Sequence, residues 1–233
     1  MKIAIMQPYF FPYLAYWQLI HSVDKFVIYD DVNYIKGGWI NRNRILINGK
    51  PSYITLPLKK LSPNKKICDI SLQKSDHWRK KLLKKIDVTY RRSPYFHDVY
   101  PLIEEVVCYD KESLVEFLIY QLEKLIQYLE MEIDLIPTSR LYKNSHLSGQ
   151  TRVLDICKYE NADTYINLIG GKQLYNNDDF YYENIKIYFI CMNRINYKQR
   201  TKGFIPNLSI IDGLMELGPS RIKKLLHKYY LIN

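Results

Sequence analysis

Two spacings of apolar positions run through the chain, one of strands and one of helices. Residues 2–6 (KIAIM) and 25–30 (KFVIYD) are short β-branched or aromatic runs of strand length. Between them, residues 13–20 (YLAYWQLI) have a helical period and follow Pro8 and Pro12. Strand, turn, helix and strand in about 30 residues predict a βαβ unit, a parallel pair with a right-handed crossover. A further strand is predicted at 51–58 (PSYITLPL), after an Asn48-Gly49 turn. Residues 74–90 predict a helix capped by Ser75, with Trp78, Leu82, Ile86 and Tyr90 along one face and Arg79, Lys80, Lys81, Lys84 and Lys85 on the other.

A long helix is predicted at 111–131, its apolar face built from Leu114, Phe117, Leu118, Leu122, Leu125, Ile126 and Leu129. Pro137 and Ser139 mark a loop, 151–160 a short helix, and 163–168 leads into Gly170-Gly171. Residues 185–190 (IKIYFI) predict a late strand. Ser209 can cap a helix at 210–217 that stops at Gly218-Pro219, and 220–230 predicts a basic terminal helix. No internal repeat or low-complexity linker appears. The pattern therefore reads as a single mixed α/β domain over 1–233. An N-terminal parallel, Rossmann-like sheet precedes a mostly helical second half, with a helical subregion at about 111–162.

Composition adds a core and a charge. Hydrophobic residues make up 47% and charged residues 25%, which suits a packed globule. The net charge is +10, but residues 36–92 hold 16 Lys/Arg against three acids, a local excess of 13 that leaves the rest at −3. Such a stretch, interleaved with aromatics, suits a phosphorylated ligand, an anionic lipid surface or nucleic acid. The amphipathic basic helix at 74–90 is either a solvated surface helix or a peripheral contact for an anionic membrane. No apolar run is long enough to span a bilayer, and the N-terminus lacks the run and cleavage site of a signal peptide, so the expected location is the cytoplasm. The four cysteines are dispersed without a CxxC pair, which favours reduced thiols over a zinc site or a disulfide framework.

Several familiar chemistries are absent. The chain has no GxxxxGK[ST] loop, no GxGxxG after the first strand, no HExxH or close histidine pair, and no GxSxG elbow. What stands out is a polar cluster after the second predicted strand, Asp30-Asp31 through Lys36-Gly37-Gly38-Trp39 to Asn41-Arg42-Asn43-Arg44. In open α/β sheets the ligand crevice lies outside the carboxyl ends of the strands, which are here Gln7-Pro8 and Asp30-Asp31. Arg offers a fork for phosphate or carboxylate, Asn offers amides that read hydroxyls, and the two glycines allow close backbone approach. The alternative is an Arg-rich loop that merely pairs with Asp30 and Asp31.

The opening MQPYFFPYLAYWQLI, then DKFVIYDDVNYIKGGWINRNRI and ITLPL, resembles the WbqC-like proteins. SPYF, Ser139 in its loop, YINLIGG and the closing FIPNLSIIDGLMELGP extend the resemblance over essentially the whole chain, with Tyr13 and Ala15 departing from the family's usual Trp and Gly. The resemblance implies a role in O-antigen or related surface-glycan biosynthesis. It further implies an aminoacyl or acyl transferase, glycine being one candidate group, that acts on an amino sugar or its nucleotide-linked form. A more distant likeness is to the nucleotidylyltransferases, although the histidine pair at the first helix start is replaced by Pro12, Tyr13 and Leu14.

On that reading Lys36, Arg42 and Arg44 hold the diphosphate of a nucleotide-linked sugar, and Asp31, or else Asp30, accepts a proton from the sugar amine. Gln7, with Pro8 beside it, and Asn41 and Asn43 orient hydroxyls or the acyl carbonyl, and Trp39 stacks on base or sugar. No covalent nucleophile is assigned; Cys68 has Lys65 and Lys66 nearby, which would lower a thiol pKa if close, but reads first as a half-buried strand residue. His21 reads as a helix-end residue. No cofactor is called; the acyl donor is open, a carrier thioester or an aminoacyl-tRNA being candidates, which makes an acyl carrier or tRNA a possible partner. The competing class is a non-catalytic glycan- or lipid-carrier-binding factor in a polysaccharide assembly complex, and a nucleic-acid binder stands third.

Overall fold

A computed structural model describes residues 1–59 and 64–233; residues 60–63, inside the basic stretch, lie outside the described residues. β1 (Lys2–Met6), α1 (Leu14–His21) and β2 (Lys25–Ile28) form the expected unit, with β1 and β2 parallel from Ile3↔Lys25 to Met6↔Ile28. β3 (Arg42–Ile47) and β4 (Lys50–Thr55) make a separate antiparallel hairpin about the Asn48-Gly49 turn, where both residues have positive φ. Three helices follow: α2 (Asp76–Tyr90), α3 (Phe96–Cys108) and α4 (Leu114–Tyr128). Ser75 and Ser113 cap α2 and α4 by accepting from His77 N–H and Glu116 N–H.

The helical second half also delivers strands. β5 (Asp134–Ile136), α5 (Gly149–Tyr159), β6 (Thr164–Leu168), α6 (Asn177–Tyr182), β7 (Lys186–Met192), α7 (Ile210–Leu226) and β8 (Tyr229–Ile232) complete the chain. The sheet order is β5-β2-β1-β6-β7-β8, parallel throughout except for β8. The loop predicted about Pro137 thus begins just after β5. The terminal helix ends at Leu226 rather than running to residue 230, because Tyr229–Ile232 fills the open edge of β7 instead.

Alternation along each strand feeds two cores. Ala4, Phe26, Ile28 and Ile166 pack toward α1, α2, α3, α4 and α7, while Ile3, Ile5, Val27 and Tyr165 pack toward α5 and α6. α7 is two helical pieces joined at Gly218, which has φ +74°; a Cβ there would lie 2.5 Å from the Tyr95 ring. The stop expected at Gly218-Pro219 is therefore a kink. On α2, Leu83 joins the buried face, and Arg79, expected among the solvated lysines, is only 8% exposed. It pairs with Asp110 at 3.2 Å and lies over the Trp78 ring at 4.7 Å. Among the described residues no helix is long and apolar enough to cross a membrane.

The connection from β1 to α1 positions everything else. Phe10 and Phe11 are fully buried, and Phe11 is held at φ +39°, a strained conformation for a bulky residue. Its buried backbone has no regular partner, so remote side chains supply one. Asn43 Nδ2 donates to the carbonyls of Phe10 (3.1 Å) and Phe11 (2.8 Å), and Ser209 Oγ donates to Phe11 (2.8 Å). Gln121 accepts from Phe11 N–H at 2.8 Å and donates to Tyr9 O at 3.1 Å. Tyr16 OH reaches Gln7 O and Trp17 Nε1 reaches Pro12 O.

Asn43→Ala strands the buried Phe10 carbonyl and leaves that of the strained Phe11 to Ser209 alone. The expected loss is about 2–5 kcal/mol in urea unfolding at unchanged m-value, against less than about 0.5 kcal/mol for the exposed Lys80→Ala. A loss as small for Asn43→Ala would refute the clamp.

Candidate functional site

The five parallel strands bring all their carboxyl ends to one edge. From β1 the chain moves through β2 to β5 in one direction, and later through β6 and β7 in the other. The switch point lies between β1 and β6, where open α/β sheets hold their ligands. A chamber of about 440 Å³ opens there, lined by Gln7, Tyr9, Tyr13, Trp39, Asn167 and Gly171. A second, of about 490 Å³, adjoins it across Tyr29, Leu174 and Tyr175, and is lined by Asp31, Lys66, Gln150 and Arg152. A third, of about 350 Å³, continues from Asp31 and Lys66 to Cys68, Arg140 and Lys143. Together they make one crevice, aromatic at the switch point and charged toward β5, where Lys66, Arg140, Lys143 and Arg152 outnumber Asp31 and Asp69.

The aromatic end is fixed by its own hydrogen bonds. Asn167 Nδ2 donates to the hydroxyls of Tyr165 (2.9 Å) and Tyr175 (3.0 Å), and Asn167 Oδ1 accepts from Leu168 N–H. Trp39 is half-buried at the wall, its ring 6.4 Å from that of Tyr53. In the middle chamber Ser148, Gly149 and Gln150 line the cavity at the N-terminus of α5, and the Ser148 side chain makes no capping bond. The first-turn amides and the helix dipole there favour an anion, as do Lys66 and Arg152.

Asp31 and Arg152 form the buried ion pair of the floor. Arg152 Nη2 lies 2.6 and 2.7 Å from the two carboxylate oxygens, Arg152 Nε donates to Asn144 Oδ1 at 2.8 Å, and Ser139 Oγ also bonds Asp31. Asp31 is 5% and Arg152 2% exposed. Burial would raise the Asp31 carboxyl, but the hydrogen bonds from Arg152 and Ser139, with the charges of Arg152 and Lys66, outweigh it and hold the group below its ordinary value. Asp31 is thus an ionised anchor for Arg152, and a poor acceptor for an amine proton. Asp30 is fully buried and ties the β5 loop: it accepts from Ser139 N–H at 3.0 Å and from Thr138 Oγ1 at 2.9 Å. Neither aspartate is paired by the arginines of the Asn-Arg stretch; Arg152 and Arg140 take that place.

The residues singled out in the sequence divide into three groups. Gln7, Trp39 and Asp31 line the crevice, with Pro8 buried beside Gln7. Asn41 and Asn43 point inward, their amides consumed: Asn41 Nδ2 donates to Leu56 O and Asn41 Oδ1 accepts from Tyr34 OH, while Asn43 holds the Phe10-Phe11 turn. Lys36 is exposed on the loop before the hairpin. Arg42 is folded onto Tyr53 at 4.4 Å and bonded to the carbonyls of Gly37 and Gly38, and Arg44 lies 5.6 Å from the Trp39 ring and donates to Asn207 O. Cys68 sits in a 3-10 turn (Ile67–Asp69), not a strand; burial and the carboxylates of Asp69 and Asp30 push its thiol up to about 11, which removes the activation that the neighbouring lysines implied. His21 is the last residue of α1, against His227.

Sequence reasoning missed Lys66, Ser139 as a ligand of both aspartates, Arg152, Tyr175 and the α5 N-terminus. A model of the WbqC-like protein family matches residues 7–224. The uncharacterized protein Rv1507c of Mycobacterium tuberculosis is 27% identical over 221 residues, covering 93% of this chain and 94% of its own. No solved structure matches the chain.

Because the folded-state carboxyl of Asp31 is depressed, its stabilisation is present above the ordinary carboxylate range and lost as pH falls through it. Asp31→Asn leaves Arg152 buried without its counter-charge, at an expected cost of about 3–5 kcal/mol near neutral pH. That gap should shrink in urea unfolding as pH falls below the ordinary carboxylate range, where wild-type Asp31 progressively loses its own charge. A gap independent of pH would refute the ionised pair.

Proposed function

The chain belongs to the WbqC-like protein family, and from that premise we propose that it is an aminoacyl or acyl transferase acting on an amino sugar or nucleotide-linked sugar in O-antigen or related surface-glycan biosynthesis. The observation that carries the reading is the crevice, which changes from aromatic to cationic along its length. A nucleotide-linked amino sugar has the same order of parts, a planar base followed by a diphosphate and a sugar. The base stacks among Tyr9, Tyr13 and Trp39, and the phosphates lie against Lys66, Arg152 and the first turn of α5. Gln7 orients the acyl carbonyl or a hydroxyl.

In the reaction the sugar amine attacks the acyl carbon, a C–N bond forms, the bond to the carrier breaks, and the proton lost by the amine ends on the departing thiol sulfur or ribose oxygen of the carrier. Arg152 stabilises the negative charge that gathers on phosphate or carbonyl oxygen, and Asp31 holds the guanidinium in place. Lys36, Arg42 and Arg44, outside the crevice lining, steer anionic substrates rather than grip them. A carrier thioester or an aminoacyl-tRNA supplies the acyl group, and the reading puts the protein in the cytoplasm.

A second reading, a non-catalytic glycan- or lipid-carrier-binding factor at the membrane surface, draws on α2. Lys80, Lys81 and Lys84 are exposed there, with Val88 64% exposed among them. That face suits an anionic surface.

In a thermal-shift series with uridine-diphosphate-linked amino sugars, one member should stabilise the protein, by about 2.7 kcal/mol at a hundredfold excess over its dissociation constant. Lys66→Ala with Gln150→Ala should remove the shift while leaving the unliganded melting temperature nearly unchanged. No shift with any member would overturn the nucleotide-linked form of the proposal. For the second reading, pelleting with phosphatidylserine vesicles should be lost in Lys80→Glu with Lys84→Glu and at high salt, where the attraction is screened; pelleting unchanged by either would exclude α2 as the contact.

A further inference from the structure

The closing segment around FIPNLS takes no part in the crevice, yet it builds a cavity of its own. The loop from Asn193 to Leu208, between β7 and α7, encloses about 620 Å³ at the carboxyl end of β7, a larger volume than any single chamber of the crevice. The two sites share no lining residue. Tyr13 faces the crevice and its neighbour Leu14 faces this cavity, so the start of α1 is the wall between them.

The loop is held in shape by buried polar groups. Gln199 accepts from Ile205 N–H at 2.7 Å and donates to Ile205 O at 3.0 Å, which closes the loop on itself. Asp212, 1% exposed, accepts from Tyr197 OH at 2.7 Å, from Tyr90 OH at 2.9 Å and from Gln199 Nε2 at 3.1 Å. Arg44 donates to the carbonyl of Asn207, which sits at positive φ. Burying a carboxylate and an amide to brace a surface loop is costly for stability alone, and is how a binding surface is kept preorganised.

The lining gives the chemical class. Three asparagines (Asn193, Asn196 and Asn207) and Arg194 contribute amide and guanidinium groups, and the Tyr197 and Phe204 rings meet edge to face at 5.2 Å. Amides that both donate and accept match vicinal hydroxyls, and an aromatic ring covers the apolar C–H face of a pyranose. Of the nearby first-turn amides of α7, Ile211 N–H is already taken by Ser209 Oγ, and among the described residues Arg194 is the one cation in the lining, which disfavours a phosphate. We infer that this cavity is a sugar-binding site separate from the crevice. The inference stands on the cavity alone, and a pyranose site here serves either a transferase or a non-catalytic binder.

The test is titration of the full, uniformly 15N-labelled chain with glucosamine and with N-acetylglucosamine, neither carrying a nucleotide. The expected result is saturable shifts of the amides of Asn193, Asn196 and Asn207, whether or not those of Gln7, Gln150 and Asn167 in the crevice also move. Asn196→Ala and Phe204→Ala, each first shown to keep the wild-type melting temperature, should weaken binding at least about tenfold. If Phe204→Ala fails that check, the exposed Asn196→Ala decides alone. No saturable shift with either sugar, shifts confined to the crevice amides, or Asn196→Ala binding like wild type would each overturn the inference. None of these outcomes depends on turnover, so the sugar site and the transferase reading stand or fall separately.

Discussion

The turn that carries the chain from β1 into α1 is buried, irregular and strained, and it survives because side chains from three distant parts of the sequence complete its hydrogen bonds. Asn43 comes from the hairpin, Gln121 from α4 and Ser209 from the start of α7. Each reaches atoms that a helix or strand would have satisfied locally. The cost of Phe11 at φ +39° is tolerable only with all of these in place. The hairpin, the helical layer and the closing helix are therefore fastened to the sheet at one point, and that point is also where β1 delivers Gln7.

Fixing this turn fixes the geometry of the whole carboxyl edge. Tyr13 and Leu14 leave it in opposite directions, one into the crevice and one into the loop cavity. The cavities then follow the strand order, from the cationic chambers beside β5 and β2, through the aromatic chamber at β1 and β6, to the amide-rich cavity at β7. A rigid wall between two chambers sets their separation without any hinge.

How much of this was legible depended on the range of the interaction. β1, α1, β2, α2 and α4 were readable because period and caps are local, and the expected caps Ser75 and Ser209 are caps in fact, whereas Ser113, expected inside the long helix, is the cap of α4. β5 and β8, of three and four residues, carry too little pattern to be seen beside helices and turns. The Asn41-Arg42-Asn43-Arg44 stretch was open to a better reading. Its period of two is a strand signature, which sends the asparagines inward and the arginines outward, and so makes the amides structural. Arg152 could not be found the same way: it lies 121 residues from Asp31, and nothing local distinguishes it from a surface arginine of a short helix.

The buried charge at the floor of the crevice argues that this edge is more than a well-packed sheet end. An Asp31–Arg152 pair in the interior recovers in Coulomb attraction little more than it loses in hydration, and an apolar pair of the same size would serve stability as well. Asp30 beside it is equally buried and equally saturated with hydrogen bonds from Thr138 and Ser139. What the charged version supplies, and an apolar one would not, is a guanidinium locked at a known place in a cavity wall, with a helix N-terminus and Lys66 directed at the same volume. Because Asp31 neutralises Arg152, the field at that wall is weaker than a count of cations implies. An anionic ligand must then gain from geometry as well as charge, by meeting the α5 amides, Lys66 and the remaining Nη1 of Arg152 together, and that favours an extended phosphate group over a lone small anion.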